Sequence, residues 1–527
     1  MLYNSYEFIF VYLPLAFAGF FLAARLSQQL AALWMACASL FFYGWWNPAC
    51  VSLLFVSILF NFGMGCLIGA WRRRHAQSSR FFLVAAITTN LILLGYFKYA
   101  NFFIESVNTV SGKSMPLQDI VLPLGISFFT FTQIAFLVDV YRGIAKEFRF
   151  LHYLLFVTYF PHLIAGPVLH HEQMMPQFAA RNTYRINWDN VAIGLTLFAF
   201  GLGKKVLIAD SLEPVASGVF DAVHRGENVM LFDAWAGALA YAFELYFDFS
   251  GYSDMASGLS FMFNVRLPLN FNSPYRSTSI IDFWRSWHMT LSAFLRDYLY
   301  VPLGGNRLGK MRRYINLMIT MLLGGLWHGA NWTFVAWGGL HGVFLVSNHC
   351  WRAFTKNIGL RTSGPTWLRQ GMAWALTFLC TLVAWVFFRA QTFGDAAVLL
   401  QGMAGMRGLS IGMSLGSVAF IQALAKSLSM PLESLGFMPL ATGASGLSVL
   451  ETGLLLVLAA SIAWFMPNSQ QLLGKSQPTL DAVAPPSPRF INLWSATSLH
   501  SRLAVGFLLG CAIFAINRHS TFLYYQF

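Results

Sequence analysis

Charge is what this chain has least of. Only 10% of its 527 residues are Asp, Glu, Lys or Arg, where a soluble domain carries about 25%. With 57% hydrophobic residues and a mean hydropathy of +0.57, this scarcity excludes an ordinary soluble protein and points to a polytopic membrane protein. Cysteine offers no framework either. Cys37, Cys50, Cys66, Cys350, Cys380 and Cys511 are scattered, mostly within apolar runs, and no CxxC occurs. That spacing fits neither a zinc site nor a disulfide frame, and leaves them as small core residues. No HExxH or HxxxH pattern is present. No nucleophile elbow, Walker loop or dinucleotide turn stands in the context such motifs require. Neither a metal site nor a bound cofactor is therefore expected.

The few charges are uneven. The net charge is +13, and basic residues cluster beside apolar spans at Trp71–Arg80 (WRRRHAQSSR), at Lys204 and Lys205, and at Lys310, Arg312 and Arg313. Cytoplasmic loops retain Lys and Arg, so the Trp71–Arg80 turn is expected inside. Counting back through three spans puts the N-terminus on the outer, periplasmic side, with Arg25 inside. No basic segment precedes the first apolar run, and Glu7 stands there instead. That run is read as a retained span rather than a leader. A basic face on a soluble fold, as nucleic-acid binding requires, is not visible.

The apolar runs predict spans at Phe8–Ala24, Ala31–Trp46, Val51–Ala70, Phe81–Phe97, Ile120–Val138, Tyr153–Ile164, Val191–Ile208 and Met230–Phe247. Further runs lie at Tyr314–Leu326, Trp332–Ser347, Met372–Phe388, Leu447–Met466 and Leu503–Ile516, with a weak one near Gly412–Leu424. Crossing a bilayer takes about 20 residues. Tyr153–Ile164 and Tyr314–Leu326 fall short and are predicted to be half-helices or re-entrant segments, tolerated where protein or water covers the broken backbone. The expected fold is an all-α membrane protein with roughly 11–14 transmembrane or re-entrant helices. It forms one domain over residues 1–527, with a flexible proline-rich loop at Gln477–Arg489 (QPTLDAVAPPSPR).

Against this background the run Leu322–Gly342 (LLGGLWHGANWTFVAWGGLHG) stands out, because it sets His328 among residues suited to lipid. An ionisable group at membrane depth is costly and marks function. Imidazole can also take a proton near neutral pH. His288 lies forty positions earlier in FWRSWHMTLSAFLRDYLY. Apolar residues at 283, 287, 291, 294, 295 and 298 predict a helix there, with Asp282 as N-cap and His288 where its apolar and polar faces meet. Trp287, Trp327, Asn331 and His341 are candidate lining residues around this pair, His341 standing equally as a packing residue. His162, His170 and His171 lack ligand spacing. Glu244, Asp248 and Asp254 in ELYFDFSGYSD could do acid–base work, but intramembrane carboxylates usually pair. Arg276, Arg285 and Arg296 are the expected partners. Asp139 and Arg142 are expected to pair locally.

These stretches resemble the membrane-bound O-acyltransferase family, in particular its bacterial polysaccharide O-acetyltransferase branch. The carriers are LGYFKYANFF (Leu94–Phe103), LPLGISFFTFTQIAFLVDVYRG (Leu122–Gly143), FPHLIAGPV (Phe160–Val168), LYFDFSGYSDMASGL (Leu245–Leu259), FWRSWHMTLSAFLRDYLYVPLGGNR (Phe283–Arg307) and MLLGGLWHGANWTFVAWGGLHG (Met321–Gly342). The ending FLYYQF (Phe522–Phe527) is also similar. The resemblance is near continuous over residues 90–345. It implies a helical bundle around a central tunnel, with the family's invariant histidine at His328 and its second active-site position at His288. It further implies acetyl-CoA as donor substrate, a bacterial inner-membrane location, a periplasmic SGNH-hydrolase-like partner, and a polysaccharide synthesis and export complex. Alginate and cellulose are both plausible acceptors. D-alanyl transfer to teichoic acid is the sibling alternative. A non-enzymatic transporter would be expected to show paired short spans in two halves, and no such symmetry is seen.

Overall fold

The structure is a computed structural model describing residues 1–72, 74–145, 148–358, 365–408, 449–481, 483 and 499–516. Helices dominate these residues. No named strand occurs among them, and one parallel β-bridge joins Leu267 to Thr479. This is the only class of structure that such an apolar chain can thread through lipid without stranding its backbone polar groups, the closed barrel aside. Among the described residues five helices are long and apolar enough to cross a membrane: Phe8–Leu26, Pro48–Arg72, Ala76–Ser111, Trp188–His224 and Thr366–Arg389.

Several expected boundaries move, each for a physical reason. Tyr314–Leu326 is not a half-helix. It lies inside a full helix, Gly309–His328, whose first turn is the basic stretch that hydropathy discounts. The span expected from Ile120 starts at Ile126, behind Pro123 and behind Gly125 at φ +70°. Tyr153–Ile164 does break, as its length suggests. Helix Phe150–Thr158 ends at Tyr159 and Phe160–Leu163 follows. The exposed backbone is covered by protein: the Phe160 N–H donates to Ser39 Oγ (3.1 Å), and Tyr3 donates its hydroxyl to the Phe160 carbonyl (2.7 Å). Residues 479–481 of the expected flexible loop are docked, with Leu480 N–H on the Leu267 carbonyl (3.0 Å) and Leu269 N–H on Asp481 (2.7 Å). Beyond Asp481 the loop is described at Val483 alone. The remainder of it, the weak span near Gly412–Leu424 and the FLYYQF ending lie outside the described residues.

The acidic run does not close a helix near Phe247. It sits inside the 32-residue helix Leu231–Met262, which is buried along most of its length. Asp248 and Asp254 pair with lysines rather than the expected arginines. Lys205 lies 2.6 Å from Asp248 and 2.7 Å from Asp210, and Lys204 lies 2.6 Å from Asp254. Both lysines come from the end of helix Trp188–Gly203 and the wide π-turn Lys204–Ala209. Glycine lets the two helices approach. A methyl group at Gly194 would meet the Gly258 carbonyl, and one at Gly201 the Gly251 carbonyl, two contacts seven residues apart on each helix. Helices Gly309–His328 and Trp332–Asn357 meet in the same way, through Gly325 against Phe334 and Gly338 against Met321.

Candidate active site

His328 is the last residue of helix Gly309–His328, and the chain leaves it in extended form at Gly329. A helix end leaves carbonyls without intrahelical donors. Here two adjacent side chains supply them. The partly buried Lys98 ammonium donates to the carbonyls of Trp327 (2.6 Å) and His328 (3.1 Å), and the Tyr99 hydroxyl donates to that of Leu326 (2.8 Å). Both residues sit on the π-turn Gly95–Tyr99. The ammonium also complements the negative end of the helix dipole. Sequence reasoning missed Lys98, although it stands in the LGYFKYANFF motif. A lysine in an apolar run carries the same signal that singles out His328.

His288 is not mid-helix. Helix Ile280–Trp284 stops, and Met289–Leu295 begins anew. His288 between them is left-handed, at φ +42° and ψ +53°. The stripe on either side is helical, but periodicity cannot reveal one reversed residue. Ser279, not Asp282, caps the first helix, and its hydroxyl bonds both the Asp282 N–H (3.2 Å) and the Asp282 carboxylate (2.6 Å). His288 is fully buried rather than at a polar boundary. Its Nδ1 lies 3.1 Å from Asn270 Oδ1. That oxygen also accepts from Thr290 Oγ1 (3.0 Å).

The fold thus brings His288 and His328 together from separate elements, with ring centroids 6.5 Å apart. Trp327 touches both, at 4.9 Å from His328 and 6.1 Å from His288. Phe249 closes on His288 at 4.8 Å, and Trp337 and Phe388 on His328 at 5.0 and 5.2 Å. His341 lies one layer out, 4.8 Å from Trp337, with Trp284 Nε1 donating to its Nδ1 (3.3 Å). Trp287 packs behind His288 on Trp385 at 4.9 Å. Asn331 caps helix Trp332–Asn357, accepting from Thr333 N–H (3.1 Å) and donating to the Gln391 carbonyl (2.9 Å). His162 bonds the Phe156 carbonyl (2.8 Å), His170 bonds the Tyr298 hydroxyl (3.1 Å), and His171 packs on Phe136. Asp139 accepts from Tyr298 (2.9 Å), while Arg142 donates to the Asp297 carbonyl (3.1 Å) instead of pairing with Asp139.

A cavity of about 1200 Å³ lies beside this pair, but neither histidine, nor Trp287, Trp327, Asn331 or His341, is among the residues that line it. Its mouth carries Arg142, His170, Glu172 and Arg296, and its inner wall Met289, Thr290 and Met321. The mouth faces the same side as the Trp71–Arg80 turn, since the Arg72 guanidinium lies against Gly143, next to Arg142. Met289 and Thr290 directly follow His288. On the other wall Met321 is seven residues short of His328, roughly 10 Å at 1.5 Å per residue. Along the chain the cavity wall therefore stands nearer to His288 than to His328, without including either ring. Two imidazoles in an aromatic, water-poor cage can accept and return a proton and polarise a carbonyl.

The membrane-bound O-acyltransferase family model matches residues 85–391, which include Lys98, Asn270 and both histidines. The chain is 40% identical to a peptidoglycan O-acetyltransferase of Helicobacter pylori, over 78% of this chain and 81% of that protein. It is 44% identical to the "Probable alginate O-acetylase AlgI" of Azotobacter vinelandii, over 75% and 76%. A teichoic acid D-alanyltransferase of Streptococcus thermophilus is more distant, 29% identical over 45% of this chain and 59% of its own length. The helical membrane fold and this continuous similarity identify the chain as an O-acyltransferase belonging to the membrane-bound O-acyltransferase family.

Proposed function

We propose that this protein carries acetyl groups from a cytoplasmic thioester, acetyl-CoA, across the inner membrane for O-acetylation of an exported glycan. The observation that carries this reading is the buried His288–His328 pair, with His288 directly preceding the wall residues Met289 and Thr290 of a cavity whose rim bears arginines. The thioester enters at that rim, where Arg142 and Arg296 suit its phosphates, and its carbonyl approaches His288 from the side of Met289 and Thr290. His328 accepts the hydroxyl proton of the acceptor as that oxygen attacks the carbonyl carbon. The C–S bond breaks and the departing thiolate takes up the proton. General base catalysis of this kind contributes typically 10²–10⁴-fold.

Identities of 40–44% to O-acetyltransferases, against 29% to a D-alanyltransferase, favour acetyl over D-alanyl transfer. The named acceptors of those relatives, alginate and peptidoglycan, give the acceptor class: an envelope or exported polysaccharide, with cellulose in the same class. A periplasmic SGNH-hydrolase-like partner completes transfer within a synthesis and export complex, and the N-terminus faces the periplasm. His328→Ala is expected to lower glycan acetylation by 10²-fold or more, measured by NMR of the isolated polymer, while the protein still inserts. Undiminished acetylation would sink the assignment.

A further inference from the structure

We propose that Asn270 is a positioning residue that holds His288 in the Nδ1–H tautomer, so that Nε2 keeps the lone pair for the reaction. The inference rests on the acetyl-transfer reading for its kinetics but not for its geometry. Neutral imidazole carries its proton on one nitrogen only, and a bond to the other fixes which. Asn270 is buried, and its three amide contacts have defined directions. Its Nδ2 donates to Ser253 Oγ (3.2 Å), on the long Leu231–Met262 helix. That turns Oδ1 toward Thr290 and His288. The Thr290 hydroxyl accepts from the Val168 N–H (3.0 Å) and gives its own hydrogen to Oδ1 (3.0 Å). An amide oxygen can only accept, so the His288 Nδ1 at 3.1 Å must carry the proton.

The same residue also secures the backbone. The Asn270 carbonyl accepts from the Met289 N–H (2.9 Å), and Asn272 N–H donates to the Ser286 carbonyl (2.9 Å). These bonds bracket His288. A non-glycine residue in the left-handed region is strained and persists only where its surroundings fix it. Asn270 thus sets both the place of the ring and its protonated edge, the arrangement seen when a neighbour orients a metal-bound or catalytic histidine. Nothing in the sequence alone marks Asn270, since asparagine in PLNFNSPY reads as a turn residue.

The test uses the full-length protein in detergent micelles with labelled acetyl-CoA. Asn270→Ala is expected to lower kcat about 10–100-fold with KM for acetyl-CoA unchanged. Asn270→Asp, which keeps an oxygen facing Nδ1–H, is expected to recover to within severalfold of wild type. A structural role alone would leave both variants equally slow, or neither. ¹⁵N NMR of histidine-labelled protein, with His288 assigned by difference against His288→Gln, should show a protonated Nδ1 in the wild type. An unprotonated Nδ1 there overturns the proposal even if a variant fails to fold. So does wild-type kcat in Asn270→Ala. A wild type inactive toward acetyl-CoA would instead refute the donor assignment, leaving the NMR result to decide the role of Asn270.

Discussion

Two helix pairs in this protein use the same device for opposite ends. Helices Trp188–Gly203 and Leu231–Met262 meet through Gly194, Gly201, Gly251 and Gly258, and Gly309–His328 and Trp332–Asn357 through Gly325 and Gly338. In both, a missing side chain lets one backbone touch the other, which is how helices associate where lipid supplies no hydrophobic drive. The first pair is braced by the buried ion pairs of Lys204 and Lys205. The second has no Asp, Glu, Lys or Arg between Tyr314 and Trp351, and its buried ionisable groups are His328 and His341. Paired charge of this kind braces a scaffold. An uncharged base in an apolar cage stays available for proton transfer.

The contrast can be broken most severely at Lys205. Lys205→Met leaves Asp248 and Asp210 without their cation, and removing one partner of a buried pair is unfavourable by roughly 3–5 kcal/mol. The expected result is a large drop in the thermal midpoint of purified protein. Pairing it with Asp248→Leu should restore much of that stability, and activity per folded molecule should stay near wild type. Next come the glycines. Gly201→Leu and Gly338→Leu each overpack a close crossing, at roughly 1–3 kcal/mol. Both should lower the midpoint, but only Gly338→Leu should also lower kcat, because its helix partner ends in His328. Equal effects on kcat would erase the distinction drawn between the pairs. The smallest change is at Lys98. Lys98→Met removes the donor to two carbonyls at the His328 end, and small displacements of reacting groups have large effects on rate. We expect roughly tenfold lower kcat, about 1.4 kcal/mol, with little change in KM and partial recovery in Lys98→Arg.

Much of this is legible in the chain. The apolar runs and the basic turns give the membrane class, and the quoted motifs give the family. His288 and His328, picked for their chemistry, do meet. What the sequence hides is of one kind: contacts set by backbone geometry or by residues far away. The helical stripe around His288 is real on both sides, yet one left-handed residue divides it and carries the ring into the core. Asp248 and Asp254 of ELYFDFSGYSD pair as expected, but with lysines forty to fifty positions upstream rather than with the downstream arginines. The place of Asn331 in WHGANW groups it with the histidines, yet its side chain caps a helix instead. Lys98 and Asn270 act across 230 and 18 residues, separations that no local pattern spans.

The wide turn at Gly95–Tyr99 has a consequence for how this chain can tolerate insertion and deletion. In a regular helix neighbouring side chains diverge by about 100°, and the extra residue of a π-turn is what sets Lys98 and Tyr99 on successive carbonyls. Losing one residue anywhere between Ala76 and Gly95 would swing both away from the His328 end while leaving hydropathy and length nearly unchanged. This helix should therefore be the least forgiving of single-codon indels, even though its flanks look like ordinary lipid-facing sequence.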